Sequence, residues 1–562
     1  MTWQKRRLLV ILLLVLVAVL VIWSLSSSAR ISSHSVLVLD ISGEIEEQRA
    51  ADVLSAFDGK TPVLRDYVEA IDAARSDSKI TGLVVKIGPL ETGWGKLQEL
   101  HSHLVEFRAS GKPSICYLGG DGSGNLEYYL ATGCDKVWIV PTAPLLVRGM
   151  MAEATFLRGT LDKLKIVPDY YHIAEYKTAT NELTEKKFTP AHREEVDSLL
   201  HGIYNQYLTD VSGGRSLARA DFETLVAQGP FSTDEALKNH LVDRAAYWDQ
   251  LQQFFKDQGK GWNPVELGRY REHVGDNFGA VNIAVIRASG LIVSGDSGNA
   301  PNGSFIMGGD SVAAELRHAR KDPSIRAIVF RIDSGGGSVV ASEVIRREVE
   351  LARDAKTLVV SMSDVAASGG YWIAMPAHKI VADPDTITGS IGVLIGKMNV
   401  SGLYAMLGLS TDSVATSDNA SLFSAQQNFT AAQKQWIEKT MQETYSAFIH
   451  GVATNRHMTA EQVDKIGKGR VWTGAQAKDI GLVDELGGLD RAIAVARDLA
   501  HISANQSVHI VNLPEEKNFF QLLLERQAGG SARAATLEGI LRGVGITDEP
   551  IQMRMPFELK IR

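Results

Sequence analysis

Ser35-Val36-Leu37-Val38-Leu39 leads into Ser42-Gly43, and Asn282-Ile283-Ala284-Val285-Ile286 leads into Ser289-Gly290 in the same way. Three more pairs of segments follow in the same order. Ala74-Arg75-Ser76-Asp77-Ser78-Lys79-Ile80 matches Ala319-Arg320-Lys321-Asp322-Pro323-Ser324-Ile325. Tyr128 with Lys136-Val137-Trp138-Ile139-Val140-Pro141 matches Tyr371 with Lys379-Ile380-Val381-Ala382-Asp383-Pro384, and Leu241-Val242-Asp243 matches Leu482-Val483-Asp484. The offset drifts slowly from 247 to 241 along the chain. Ordered matches over so long a period mean a duplicated domain, not a short-period solenoid.

Each half alternates short β-branched runs with amphipathic stretches. In the second half, strands are predicted at 283–286, 327–330, 358–361 and 379–382, with helical apolar spacing at 342–352 between them. Such alternation predicts an α/β fold built on mostly parallel sheets covered by helices. The expected domains are a first repeat at 31–265, a second at 280–500 and a tail at 501–562. The stretch 255–279 reads as the joint between halves, and 294–309, rich in Gly, Asn and Ser, as a mobile loop. In the tail, the apolar cluster Phe519-Phe520 with Leu522-Leu523-Leu524 is expected to pack on the body or on a neighbouring subunit.

Ahead of the repeats, Lys5, Arg6 and Arg7 precede an apolar run from Leu8 to Trp23, with Leu25 just beyond. That length approaches the roughly 20 residues that cross a bilayer. It exceeds the usual core of a removable signal peptide. An uncleaved anchor over residues 1–30 is expected. The basic cluster keeps the short tail in the cytoplasm and places the body across the membrane.

At 562 residues the chain exceeds a single core, and 45% hydrophobic with 22% charged residues is an ordinary globular composition. A net charge of −8 offers no footprint for nucleic acid. Two cysteines exclude a disulfide scaffold. Cys116 and Cys134 read as buried structural thiols rather than as a disulfide or a nucleophile. No His-Glu-x-x-His motif and no Walker loop occur, so neither metal nor nucleotide is expected.

Chemistry concentrates in the second half. In Val365-Ala366-Ala367-Ser368-Gly369-Gly370-Tyr371-Trp372, small neighbours open the Ser368 hydroxyl to a substrate backbone, and Gly369 offers an unobstructed N–H. A plain N-cap serine is the alternative. The repeat favours a nucleophile, because the first half has Asn125 at the matching position and Leu126-Glu127 in place of the glycines. A second cluster, Ser334-Gly335-Gly336-Gly337-Ser338, follows a strand and can hold an oxyanion, or simply make a turn. Its counterpart is Gly88-Pro89-Leu90-Glu91-Thr92. A serine nucleophile needs a base, yet no Gly-x-Ser-x-Gly elbow is present and none of the fourteen histidines sits in a triad motif. His378 reads as a surface residue. A buried lysine can serve, because desolvation favours its neutral form. Lys177, in Glu175-Tyr176-Lys177-Thr178-Ala179, is a candidate that spacing alone cannot distinguish from a solvated lysine.

Three segments resemble the long-form signal peptide peptidases, or protease IV, of the Clp/crotonase fold group. They are Met362…Ala366-Ala367-Ser368-Gly369-Gly370-Tyr371-Trp372, Thr388-Gly389-Ser390-Ile391-Gly392 and Tyr176-Lys177-Thr178-Ala179. The resemblance spans nearly the whole chain, through Gly469-Arg470-Val471-Trp472-Thr473 to Glu485. It implies two Clp/crotonase-like repeats behind one transmembrane helix and a Ser–Lys dyad serine endopeptidase. Ser368 would be nucleophile and Lys177 general base, with Ser390 orienting the lysine. Gly369 and Gly337, or else Gly336, would donate to the oxyanion. This chain has Ser334-Gly335-Gly336-Gly337 where the family usually has Ser-Pro-Gly-Gly, which should loosen that loop. The family implies no cofactor, signal-peptide remnants and other apolar peptides as substrates, a homotetramer, and a body on the periplasmic side of a bacterial inner membrane. The alternatives are a catalytically dead membrane scaffold of this fold and a crotonase-like acyl-CoA enzyme.

Overall fold

The computed structural model describes residues 31–49, 61–275, 279–300, 304–515, 551–555 and 560–561. The anchor expected over 1–30 and the apolar cluster at 519–524 lie outside these residues. Among the described residues no helix is long and apolar enough to cross a membrane.

The duplication is visible strand for strand. The first sheet runs Arg244–Ala245, Lys136–Ile139, Ser114–Leu118, Ile80–Leu90, Ser35–Gly43, Asn263–Glu266, and every neighbouring pair is parallel. Six strands of the eight-stranded second sheet repeat that order, Glu485–Leu486, Lys379–Ala382, Thr357–Ala367, Ile325–Ser334, Val281–Ser289 and Val508–Leu513, with these pairs again parallel; Ile387–Gly389 and Val471–Thr473 extend the sheet beside Thr357–Ala367 and pair antiparallel with each other. The central strands are almost continuously buried, as parallel strands covered on both faces must be. Each half also carries a 26-residue helix, Pro190–Arg215 and Ala431–Arg456. Both start on a threonine, Thr189 and Thr430, whose hydroxyl accepts a backbone N–H of the first turn. Both end on a left-handed residue, Ser216 and His457.

Four expectations need correction, the last of them in the third sheet described below. The stretch 255–279 is not a bare joint: it holds the edge strand Asn263–Glu266 and the helix Leu267–Val274, whose Leu267 and Tyr270 are buried against the first core. The second repeat does not stop at 500, because Val508–Leu513 completes its sheet as Asn263–Glu266 completes the first. Asn263–Glu266 is short and mostly polar, so it does not show in hydropathy, and Val508–Leu513 is a single short apolar run beyond the matched segments of the repeat. The third concerns the cysteines. Cys116 lies on a central strand and Cys134 just after the helix Asn125–Ala131, and the return of that helix onto the sheet brings their Cα atoms to 5.7 Å, joined as a disulfide. The apolar surroundings were read correctly, since both side chains are buried. The pairing depends on the crossover and was invisible in the spacing.

A third sheet ties the halves together, in the order Gly298–Asn299, Phe305–Gly308, Leu291–Val293, Gly336–Ser338, Ile551–Arg554, Leu394–Asn399, Val167–His172. Two short strands of this sheet fall within 294–309, where only a loop was expected. Val167–His172 from the first half pairs antiparallel with Leu394–Asn399 from the second. That pairing delivers the segment after His172 to the second half's sheet.

Candidate active site

Ser368 sits between the strand Thr357–Ala367 and the helix Gly369–Ala374, with φ 55° and ψ −113°. A positive φ is unfavourable for a residue with a Cβ and persists only where the surroundings enforce it. Here the Ser368 N–H donates to the carbonyl of Gly389 at 2.8 Å. The hydroxyl makes no capping bond to the helix that follows. The plain N-cap alternative therefore fails, and the hydroxyl is turned elsewhere.

It is turned toward Lys177. Lys177 Nζ stands 2.7 Å from Ser368 Oγ, 2.9 Å from Ser390 Oγ and 3.1 Å from the Ser390 carbonyl. All three side chains are completely buried. Ser390, also at positive φ (51°), is fixed by its N–H donating to the Arg470 carbonyl at 2.7 Å. The Lys177 backbone packs against Gly469, where a Cβ would fall 2.4 Å from the Lys177 backbone nitrogen and 2.6 Å from the Lys177 Cβ. Only glycine fits there.

Burial lowers the Lys177 amine to about 7, opposed only by the field of Glu195. Glu195 lies on the buried face of Pro190–Arg215 and is itself raised to about 8 by burial, against the pull of its hydrogen bonds and of Lys177. Its two oxygens accept from Val471 N–H at 2.7 Å and from the Thr178 hydroxyl at 3.2 Å. It thus joins the residue beside Lys177 to the strand beside Ser390's anchor. At neutral pH Glu195 leans to its neutral form and a large share of Lys177 is unprotonated, leaving an amine able to accept a proton from a hydroxyl.

The glycine cluster faces the same point. Gly336 N–H donates to Ser334 Oγ at 3.1 Å, so it is already committed. Gly337 lies next along the strand Gly336–Ser338, and the nitrogen of Gly369 approaches within 2.6 Å of where a Cβ on Gly336 would stand. Of the two candidates in that cluster, Gly337 is the one whose N–H Ser334 does not engage. Ser334 also ties this proline-free loop to the neighbouring strand end, since its hydroxyl donates to the Gly290 carbonyl at 2.6 Å.

A buried ionic layer from the first half clamps both loops. Lys96 Nζ pairs with Asp333 at 2.8 Å and Asp364 at 3.1 Å, one residue before the glycine cluster and four before Ser368. Behind it, Arg331 pairs with Glu47 at 2.7 Å and Glu99 at 2.8 Å, all buried. The carboxylates overcome the burial cost and hold Lys96 well above the usual amine range. Removing one partner of such a pair leaves uncompensated charge and costs about 3–5 kcal/mol. Lys96→Met should therefore lower unfolding stability by about that amount at neutral pH, measured by denaturant titration. The loss should shrink in Lys96→Met with Asp333→Asn and Asp364→Asn. A surface-like loss below about 1 kcal/mol would mean that the layer is solvated.

The family model "Peptidase family S49" matches residues 106–261 and 350–503, once in each half. Serine protease SPPA, chloroplastic, of Arabidopsis thaliana is 32% identical over 94% of this chain and 78% of its own length. Protease 4 of Salmonella typhi is 34% identical over 92% and 85%, and Protease 4 of Haemophilus influenzae 30% over 84% and 80%. The chain belongs to peptidase family S49. It is a serine peptidase, made of two S49 domains with mixed α/β sheets. Among solved structures, ClpP1 from Listeria monocytogenes is similar over 36% of this chain and 91% of its own. Its identity is 17% and its TM-score 0.23, a level that adds nothing to the fold read from the strands.

Within this S49 chain, the structure brings together Ser368, Lys177, Ser390, Gly369 and Gly337, drawn from both halves of one chain. His378 is exposed, as expected. Tyr128 in the first half and Tyr371 in the second make the same hydroxyl bond, to the Leu241 and Leu482 carbonyls, which fixes Asn125 as the counterpart of Ser368. Among the described residues the Asn125 side chain accepts from the Arg148 N–H and the Tyr207 hydroxyl and bonds no lysine. Two features escaped the sequence reading. Glu195 could have been noticed as a charge on the apolar stripe with Val196, Leu199 and Ile203. Lys96 could not, because its partners are more than two hundred residues away.

Proposed function

We propose that this S49 peptidase uses a Ser368–Lys177 dyad to degrade cleaved signal peptides and other apolar peptides. It acts from a single N-terminal anchor, as a homotetramer, on the periplasmic side of a bacterial inner membrane. The observation that carries the chemistry is the Lys177 amine, fully buried, 2.7 Å from the Ser368 hydroxyl. Neutral Lys177 takes the Ser368 proton as Oγ attacks the peptide carbonyl. The oxyanion accepts from the N–H groups of Gly369 and Gly337, and the ammonium then gives its proton to the leaving amine. Water, deprotonated by the same lysine, releases the acyl group. Ser390 keeps the amine aimed throughout.

A scaffold without catalysis would not need a desolvated amine set on a strained serine, and an acyl-CoA enzyme would leave Lys177 without a task. The placement across the membrane is supported by the basic cluster Lys5-Arg6-Arg7 before an apolar run. The Cys116–Cys134 disulfide agrees with it, since such bonds persist in oxidising compartments. The test combines both parts. In spheroplasts, added protease should digest the body while an epitope at residues 1–7 stays protected, and a membrane-impermeant fluorophosphonate should label Ser368. Labelling only after lysis would place the body in the cytoplasm, and no labelling of folded protein would remove the nucleophile.

A further inference from the structure

Lys177 belongs to no helix or strand. Residues 173–180 form a loop between the strand Val167–His172 and the short helix Asn181–Thr184. A side chain on a loop is aimed only as well as its neighbours are held. Both neighbours are held, by two successive carboxylates on the helix Pro190–Arg215. Thr178, just after the lysine, donates to the buried Glu195. Tyr176, just before it, donates its hydroxyl proton to the exposed Glu194 at 3.0 Å. Each carboxylate then reaches the second half: Glu195 accepts from the Val471 N–H, and Glu194 pairs with the Arg470 guanidinium at 2.8 Å.

Arg470 does more than pair with Glu194. Its guanidinium lies over the Tyr176 ring at 5.0 Å from the centre and over the Trp472 ring at 4.4 Å, where a planar cation is attracted to both faces. Trp472 is itself fixed, since its indole N–H donates to the Ile466 carbonyl at 3.0 Å. The Arg470 carbonyl accepts the N–H of Ser390, and the strand that follows it, Val471–Thr473, pairs with Ile387–Gly389. Gly389 in turn holds the Ser368 N–H. On the lysine side, the Tyr176 N–H donates to the Lys468 carbonyl at 3.2 Å. Arg470 is therefore the residue whose side chain grips the approach to Lys177 while its backbone anchors Ser390.

We propose that Arg470 is a positioning residue of the dyad: by stacking on Tyr176 and pairing with Glu194 it pins the Lys177 loop of the first half to the Ser390 and Ser368 supports of the second. The inference rests on the Ser368–Lys177 reading and deepens it. The Glu194 end of this contact is exposed, and ion pairs at the surface add little to folding. A displacement of about 1 Å at a reacting group, by contrast, costs about a hundredfold in rate. Arg470 should thus matter far more to turnover than to stability.

The test compares rates per active site. Arg470→Gln keeps the backbone carbonyl and removes the guanidinium. It should lower kcat on an apolar peptide by about thirty- to a hundredfold. KM should stay within about twofold, and thermal unfolding should move by no more than about 2 °C. Labelling of Ser368 by a fluorophosphonate should slow by a similar factor, with the final amount labelled equal to that of wild type. Arg470→Lys keeps the charge without the planar fork and should fall between the two. Glu194→Gln should cost about tenfold, and the double variant should stand within about threefold of Arg470→Gln, because both changes release one contact. The pH limb should keep its place while the plateau falls, since burial and Glu195 are what act on the Lys177 amine.

A smaller amount of labelled protein at an unchanged rate would mean a merely structural role and would overturn the proposal. Additive losses in the double variant would overturn it too. Wild-type labelling by Arg470→Gln, beside slow labelling by Lys177→Ala, would overturn the proposal and leave the dyad standing. Labelling of Lys177→Ala as fast as wild type would remove the dyad, and this role of Arg470 with it.

Discussion

Ser368→Ala and Lys177→Ala should each lower kcat/KM on an apolar peptide by a factor on the order of 10⁴, with circular dichroism and assembly unchanged. The two losses should not add in the double variant, since the hydroxyl and the amine act as one unit. Lys177→Arg is the more demanding case. A guanidinium stays protonated at any workable pH, so it cannot take the serine's proton. It is also too bulky for a site where Gly392 would already bring a Cβ to 3.1 Å from Lys177 Cδ. The arginine variant should be as inactive as the alanine one. Turnover by Lys177→Arg within tenfold of wild type would remove lysine from the mechanism.

The halves were legible in the sequence because parallel strands buried on both faces are nearly continuous apolar runs. Val281–Ser289 and Ile325–Ser334 stand out without an alignment, and so do their partners in the first half. The third sheet was not legible. Its members are two to six residues long and come from 167 through to 554, so their pairing is decided by tertiary contacts and not by local pattern. The site divides along the same line. Ser368 betrays itself by the small residues around it, and the duplication isolates it by contrast with Asn125. Lys177 carries no local pattern and entered through resemblance alone. Its burial follows from the pairing of Val167–His172 with Leu394–Asn399, a contact between halves that no window of sequence contains. The tail shows the same limit: 551–555 reads as an ordinary polar-apolar alternation, and only its neighbours make it a strand of the third sheet.

The pH dependence of kcat/KM follows from the environment of that lysine, and its sign is fixed by the need for a neutral amine. An unperturbed lysine near 10.4 would be neutral in only about one molecule in 2,500 at pH 7. With burial bringing Lys177 to about 7, half the molecules carry a competent base at neutrality. Activity should therefore rise through a limb near 7 and reach its plateau on the alkaline side. At pH 5 it should stand about a hundredfold below that plateau. Glu195 adds a second effect. Raised to about 8, it acquires its charge only above neutrality. A carboxylate there favours the ammonium form of Lys177 and so pulls against the base. Glu195→Gln removes that pull, and the limb should move to lower pH while the plateau flattens above pH 8. Ser390→Ala removes a contact at 2.9 Å to the same nitrogen. It should lower kcat/KM by about ten- to a hundredfold, without abolishing acylation of Ser368 by a reactive probe. A histidine base would also titrate near neutrality, so the position of the wild-type limb does not decide the matter. The shift does. Among the described residues, the hydrogen bonds of the Glu195 carboxyl and of the Ser390 hydroxyl go to no histidine, whereas both groups act on Lys177. The measurement is kcat/KM from pH 5 to 10 for wild type, Glu195→Gln and Ser390→Ala. A limb that stays in place in both variants would show that the titrating group is not Lys177.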